Sequence, residues 1–137
     1  MFKETITTSD GSTTLYLKDR DETYHSRHGA IAEARHVFLK HGLHYWLQHN
    51  DQNQLHILEM GFGTGLNCLL TQLEPKREGL LIHYHALEAF PLTLEETALL
   101  NYSKVLAIAP EVFSALHQIP WEALTPISVD FAVKKQK

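Results

Sequence analysis

The sequence predicts an α/β fold built on a parallel sheet, and three observations predict it. A short apolar run, Leu55-His56-Ile57-Leu58-Glu59-Met60, ends in a glycine cluster, and Leu66, Leu69, Leu70 and Leu73 then follow at helical intervals. A second such run, Leu81 to Leu87, comes after a loop marked by Pro75 and Gly79. Thr93 and Glu96 then have the spacing of a capping box, with a helix expected through about Leu100. Strand, helix, strand, helix in that order lays parallel strands side by side with helices crossing over them.

Before this unit, two β-rich runs, Thr5 to Ser9 and Thr13 to Leu17, flank Asp10-Gly11-Ser12. Asp-Gly supplies the positive φ that a tight hairpin needs, so a hairpin is expected there. A charged turn over Lys18 to Glu22 leads to apolar residues at Ala30, Ile31, Ala34, Val37, Phe38, Tyr45 and Trp46, the spacing of a helix with a break at Gly42. Downstream, Pro110-Glu111 opens a short helix through Leu116, and Ile127 to Val133 reads as a third strand. The expected organisation is a hairpin-and-helix extension over 1–54 and a cofactor-binding unit over 55–137.

Composition narrows the function classes. At 137 residues, 44% hydrophobic and 20% charged, the chain has the material for one packed core. Twelve basic against sixteen acidic residues give a net charge of −4, which excludes a global electrostatic footprint for nucleic acid. One cysteine, Cys68, cannot form an internal bridge, the start Met1 to Ile6 lacks the apolar run of a signal peptide, and no stretch reaches the ~20 apolar residues of a membrane span. A cytoplasmic protein without membrane insertion is expected.

The chemistry concentrates in Glu59-Met60-Gly61-Phe62-Gly63-Thr64-Gly65-Leu66-Asn67, set between a predicted strand and a predicted helix. Glycines let the backbone turn sharply and approach a ligand, and the helix start offers free N–H groups, so a nucleotide-type cofactor is the natural guest. The dinucleotide fingerprint needs Gly or Ala where this chain has Leu66, which disfavours NAD. Glu59, two residues before Gly61, would repel a pyrophosphate but suits an ammonium group, such as the methionine end of S-adenosyl-L-methionine. Glu88 ends the second strand 23 residues beyond Gly65, near the ~20-residue offset at which an acid reaches ribose hydroxyls. Phe90 is placed either to contact an adenine face or to pack as a rim aromatic. Asn67 bonds either a ligand or its own backbone. The expected cofactor site is therefore Glu59, Gly61, Phe62, Gly63, Thr64, Gly65, Asn67, Glu88 and Phe90.

Other residues invite weaker readings. The histidine pairs His25/His28, His41/His44 and His83/His85 do not join into a tetrahedral metal set, and no metal is expected. Cys68, among Leu69 and Leu70, reads as buried packing, and the lysines at 134, 135 and 137 as a solvated tail.

Taken together, these motifs resemble the methyltransferase domain of the bacterial enzyme that forms 5-methylaminomethyl-2-thiouridine at the tRNA wobble position, and its stand-alone homologues. Leu58 to Asn67 looks like that family's cofactor loop and Leu87-Glu88-Ala89-Phe90-Pro91-Leu92 like its ribose-binding strand end. Asp10-Gly11-Ser12, Tyr24-His25-Ser26 with Gly29-Ala30, and Glu33 to Phe38 are similar to its N-terminal signature. The resemblance implies a Rossmann-like class I methyltransferase fold, S-adenosyl-L-methionine as cofactor and tRNA as substrate, the methyl group passing to the primary amine of 5-aminomethyl-2-thiouridine. It also implies a catalytic acid on an Asp-rich loop after a later strand, which this chain does not contain. Asp130, inside the predicted third strand, is a poor substitute, and no catalytic residue is assigned.

From Leu55 to Lys137 is 83 residues, enough for about three βα units, whereas a seven-stranded sheet needs roughly 175. Only the N-terminal part of the methyltransferase fold is therefore expected, with an exposed sheet edge for a homodimer or an oxidoreductase partner to cover. Three functions stand open: the aminomethyluridine methyltransferase, a truncated remnant that binds a cofactor or partner without turnover, and a class I methyltransferase with another acceptor.

Overall fold

The computed structural model describes residues 2–137, which form a small antiparallel sheet, a helical run and a mixed four-stranded sheet flanked by short helices. Strands β1 (Lys3–Thr7) and β2 (Thr13–Leu17) pair antiparallel with Thr7 opposite Thr13, so the Asp10-Gly11 hairpin stands where its sequence places it. Asp10 organises the turn. Its Oδ1 accepts from the Ser12 amide at 3.0 Å, from the Thr8 hydroxyl at 3.0 Å and from the Ser12 hydroxyl, and its Oδ2 accepts from the Ala32 amide at 2.9 Å. The last bond satisfies a first-turn donor of helix α1 (Ala30–Ala34), so the hairpin caps a helix that starts well downstream. Burial alone would raise the Asp10 pKa, but the bonds from Ser12, Ala32 and Thr8 prevail and hold it below the usual carboxylate value. The stretch read as a charged turn also contains a short strand, β3 (Glu22–Thr23), paired to β2 with Thr23 opposite Tyr16.

The expected break at Gly42 is absent. From α1 the chain continues without interruption through a π-type helical segment, Arg35–His44, into α2 (Tyr45–His49). The cause lies in the phase of the buried residues. Ala30, Ala34, Leu39 and Leu43 face the core, and the step of five between Ala34 and Leu39 matches i→i+5 bonding rather than a 3.6-residue period. Val37 and Tyr45, which the shorter period would bury, are 60% and 58% exposed.

The second sheet has the order β4 (Gln54–Met60), β5 (Leu81–Leu87), β7 (Phe131–Gln136), β6 (Thr125–Ser128). The first three strands are parallel, in a register that sets three rows across the helix-covered face: Leu55–Ile82–Phe131, Ile57–Tyr84–Val133 and Glu59–Ala86–Lys135. On the opposite face Leu58 and Met60 of edge strand β4 are 60% and 74% exposed.

The expected single strand over Ile127–Val133 is instead a hairpin, with β6 antiparallel to β7. Ser128 donates to Asp130 Oδ1 at 2.7 Å and turns the chain in the middle of a run that is apolar on both sides. Asp130 thus lies in a turn rather than inside a strand, next to the Ile82–Phe131 row at the end of the sheet away from the glycine cluster. The solvated-tail reading of the terminal lysines also fails at Lys135, which is 1% exposed. Strand β7 alternates, so Phe131, Val133 and Lys135 all turn to the core. The Lys135 ammonium donates to the His117 carbonyl at 3.2 Å and lies 4.6 Å from the Trp121 ring centroid. Burial pushes its pKa down to about 8.

Helix α3 (Leu66–Leu73) follows β4, and α4 (Leu94–Ala98), α5 (Tyr102–Val105) and α6 (Pro110–Gln118) follow β5. The capping box at α4 is complete: the Glu96 amide donates to the Thr93 hydroxyl at 3.1 Å, and the Thr93 amide to the Glu96 carboxylate at 3.0 Å. Helix α5 has no expectation behind it. Its N-cap, Asn101, clasps the hairpin, with Oδ1 accepting from the Thr13 amide at 2.8 Å and Nδ2 donating to the Gly11 carbonyl at 2.9 Å. Buried residues from Leu15 to Val133 form one cluster. No helix among the described residues is long and apolar enough to cross a membrane.

Replacing Asp10 with alanine removes the acceptor shared by the hairpin and α1. Urea unfolding at neutral pH should show a loss of about 2 kcal/mol, and a loss below about 0.5 kcal/mol would show that the turn does not hold the helix.

Candidate functional site

The alternation of β4 turns Glu59 toward the helices at the last row of the sheet, where it is 6% exposed. Its Oε2 accepts from Asn67 Nδ2 at 2.8 Å, so the Asn67 side chain, expected to bond a ligand or its own backbone, bonds the Glu59 carboxylate instead. Its Oε1 and the hydroxyl of Tyr84 on β5, both buried, have no partner within hydrogen-bond distance, although the two groups lie close enough to act on each other. Burial pushes Glu59 up to about 7, against the hydrogen bond from Asn67 and the pull of the nearby Tyr84 hydroxyl.

The glycine loop is stitched to the neighbouring strand. The amides of Gly61 and Phe62 donate to the Leu87 carbonyl at 2.8 and 3.2 Å, and the Gly63 amide donates to Glu88 Oε1 at 2.6 Å. Gly63 has φ of 53° and Gly65, the N-cap of α3, has φ of 79°, both in the region that favours glycine. A Cβ on Gly65 would stand 3.0 Å from the Phe62 ring and 3.1 Å from His117 Nε2. The loop is supported from below: His117 Nε2 donates to the Thr64 carbonyl at 2.8 Å and the Tyr102 hydroxyl to the Thr64 hydroxyl at 3.3 Å. Burial pushes His117 down to about 4, which leaves its ring neutral near pH 7. Phe62 and Thr64 are 5% and 1% exposed, so their side chains serve the core and their backbone faces the site.

Two cavities open along this loop. The first, about 230 Å³, is lined by Glu59, Gly61, Phe62, Gly63, Thr64 and Asn67 of the expected set, and from the N-terminal part by Tyr24, His25 and Glu33. The second, about 400 Å³, is lined by Gly61, Gly63, Glu88 and Phe90 together with Lys3, Arg20 and Tyr24. Glu88 Oε2 accepts from the Phe90 amide at 3.1 Å, while the Phe90 ring is 75% exposed at the rim. Gly65 lies beneath the loop at the helix start rather than on a cavity wall.

Sequence reasoning did not place Tyr24 and His25 at the loop, and no local signal links residue 24 to residue 63. The position depends on β3, after which the Tyr24 amide donates to the Leu15 carbonyl at 2.9 Å and carries its ring onto Gly63. His25 pairs its Nδ1 with the Thr14 hydroxyl at 2.9 Å, and burial lowers its pKa against the pull of Glu33.

The arrangement can therefore accept a cationic group at the Glu59 carboxylate beside one cavity and hydroxyl donors at Glu88 in the other, with the glycine loop between. The outlying candidates go elsewhere. His44 bonds Glu74 at 2.7 Å, His56 and His83 meet edge to face with centroids 4.9 Å apart, and Cys68 is fully buried with its thiol pushed well up by that burial. Among the described residues no group of three or more His, Cys, Asp or Glu is placed to hold a metal ion.

No family model matches the chain. Among curated proteins, the chain is 37% identical over 105 residues to the tRNA 5-methylaminomethyl-2-thiouridine biosynthesis bifunctional protein MnmC of Leptospira interrogans, which covers 72% of this chain and 16% of that protein. The protein of the same name from Cupriavidus necator is 41% identical over 92 residues, 63% of this chain and 13% of that one. The chain thus spans about a sixth of the length of the curated relatives it matches. Among solved structures, MNMC2 from Aquifex aeolicus superposes with a TM-score of 0.69 at 25% identity, over 99% of this chain and 43% of that one. The mixed sheet and its helices are accordingly Rossmann-like. By sequence over 72% of its length and by fold over 99% of it, the chain is a relative of the MnmC proteins of tRNA 5-methylaminomethyl-2-thiouridine biosynthesis.

Proposed function

We propose that the chain binds S-adenosyl-L-methionine and serves methyl transfer to the aminomethyl amine of a wobble uridine in tRNA. The observation that carries the cofactor reading is the buried, unpartnered Oε1 of Glu59, a residue that lines the same cavity as the glycine loop. An orphaned carboxylate oxygen of this kind is a receptor for a cation with N–H donors, which the amino-acid end of the cofactor has. Glu88 has given one lone pair on each oxygen to the Gly63 and Phe90 amides and keeps the others for ribose hydroxyls. The tRNA reading comes from the relatives, which are proteins of tRNA 5-methylaminomethyl-2-thiouridine biosynthesis. It carries with it a protein that works away from membranes, in the compartment of tRNA.

When bound, the cofactor supplies an electrophilic methyl group on a positively charged sulfur. The chain's own part is to bind and orient. Glu59 holds the ammonium group, Asn67 fixes the Glu59 carboxylate by its 2.8 Å bond, and Glu88 fixes the loop while reading the ribose. The acceptor amine must lose a proton before it can attack. Glu33, on the rim of the first cavity, is the carboxylate free of both cofactor roles, while Asp130 lies at the far end of the sheet. That scarcity of proton acceptors favours a second reading, a cofactor-binding fragment without turnover.

Calorimetric titration of the whole chain with S-adenosyl-L-methionine should show binding. Gly63→Leu should abolish it, since the new side chain must point at Tyr24 from a backbone with φ of 53°. A folded wild-type chain with no heat at millimolar ligand sinks the cofactor reading.

Glu59 makes both stability and binding depend on pH. Its folded pKa, about 7 against an ordinary 4.5, means that the folded state holds the proton more tightly, so stability falls as pH rises from about 4.5 to 7 and is flat above. Glu59→Gln should remove that slope and be the more stable by roughly 3 kcal/mol at pH 8 relative to pH 4. Affinity for the ammonium-bearing ligand should rise through the same window as the carboxylate ionises. Parallel wild-type and variant unfolding curves at both pH values would refute the assignment.

Turnover is tested separately, with radiolabelled methyl donor and tRNA carrying 5-aminomethyl-2-thiouridine. Label in the tRNA supports the methyltransferase, and binding without transfer supports the fragment.

A further inference from the structure

We infer that Tyr24 recognises the positive charge of the cofactor's sulfur through the face of its ring. This deepens the cofactor reading above and rests on it. Tyr24 is shared by the two cavities, together with Gly61 and Gly63. Its Cδ2 and Cε2 lie 3.3 and 3.5 Å from the point where a Cβ on Gly63 would stand, so the ring rests on the loop at the boundary between the Glu59 side and the Glu88 side. In S-adenosyl-L-methionine the sulfonium is the atom that joins the amino-acid end to the nucleoside end. A ligand with its ammonium at Glu59 and its ribose at Glu88 therefore carries its positive sulfur across the segment that Tyr24 borders.

The two buried-site carboxylates are already committed, Glu59 to one end and Glu88 to the other. Of the residues common to both cavities, Tyr24 has the side chain that attracts a cation, and the attraction works best where water is displaced. The ring is also held in advance. Its own amide donates to Leu15 and the next amide, of His25, donates to the Thr14 hydroxyl at 3.1 Å, so β2 fixes the backbone on both sides of the Tyr24 side chain. Substituting a leucine there would keep an apolar wall and lose the charge recognition.

The test compares S-adenosyl-L-methionine with S-adenosylhomocysteine, which keeps both ends and has a neutral sulfur, by calorimetry on the whole chain. Tyr24→Leu should lower the ratio of the two affinities by about tenfold, and Tyr24→Phe should keep it. Phenylalanine and trifluorophenylalanine at position 24 give the same reading with little change of shape, since fluorination weakens the ring's negative face, and they serve if the leucine variant melts early. Equal weakening of both ligands in Tyr24→Leu, or a ratio unmoved by fluorination, overturns the role of Tyr24 while leaving the cofactor reading intact. Failure of both ligands to bind the wild-type chain overturns the two together.

Discussion

The hydrogen bond from the Gly63 amide to the Glu88 carboxylate, 2.6 Å long, is the constraint from which the site is built. It joins the loop after β4 to the end of β5, and its acceptor is charged, which makes it stronger than an ordinary amide bond. With Gly61 and Phe62 bonded to the Leu87 carbonyl, three consecutive loop residues are tied to two residues at the neighbouring strand's end. Glu88 is pinned in turn by the Phe90 amide. The loop backbone and the Glu88 carboxylate therefore have their directions set within the chain, and the ordering cost is met when the chain folds. The loop could not take this course with side chains at Gly63 or Gly65, one being crowded by Tyr24 and the other by Phe62 and His117.

The last row of the sheet shows what this arrangement costs. Glu59 and Lys135 stand on either side of Ala86, both in the core, and burial moves one up to about 7 and the other down to about 8. Neither is paired with the other. Lys135 spends its ammonium on the His117 carbonyl and two aromatic faces, while Glu59 spends one oxygen on Asn67 and leaves the other without a partner. Lys135 thereby holds the end of α6, from which His117 reaches the loop, so its burial has a structural return. The free oxygen of Glu59 has none within the chain, and on that asymmetry the proposed ammonium recognition rests.

Much of this was legible in the sequence because it is local. The strand, loop and helix around Glu59 to Asn67, the second strand ending at Glu88 and the Thr93–Glu96 capping box each follow from residues within a few positions of one another. The errors share a different origin. Gly42 reads as a break only if the helix keeps a 3.6-residue period, and here the buried residues follow a wider one. Ile127 to Val133 reads as one strand only if apolar content decides, whereas a Ser128–Asp130 side-chain bond divides it. Lys135 and Tyr24 acquire their surroundings from strands paired across the chain, and no neighbouring residue announces either placement.

The Asn101 clasp has a consequence for how the molecule comes into being. Asn101 bonds the Thr13 amide and the Gly11 carbonyl, at sequence separations of 88 and 90 residues, and the same hairpin supplies Asp10 to the first turn of α1. During synthesis the hairpin leaves the ribosome early, yet the residue that fastens it emerges only after most of the chain has been made. The hairpin can close on α1 through Thr8, Asp10 and Ser12 soon after both are made, while its fastening to Asn101 must wait. The Tyr24 ring, borne on that same N-terminal sheet, can settle on the glycine loop only after the chain has been made beyond Gly63.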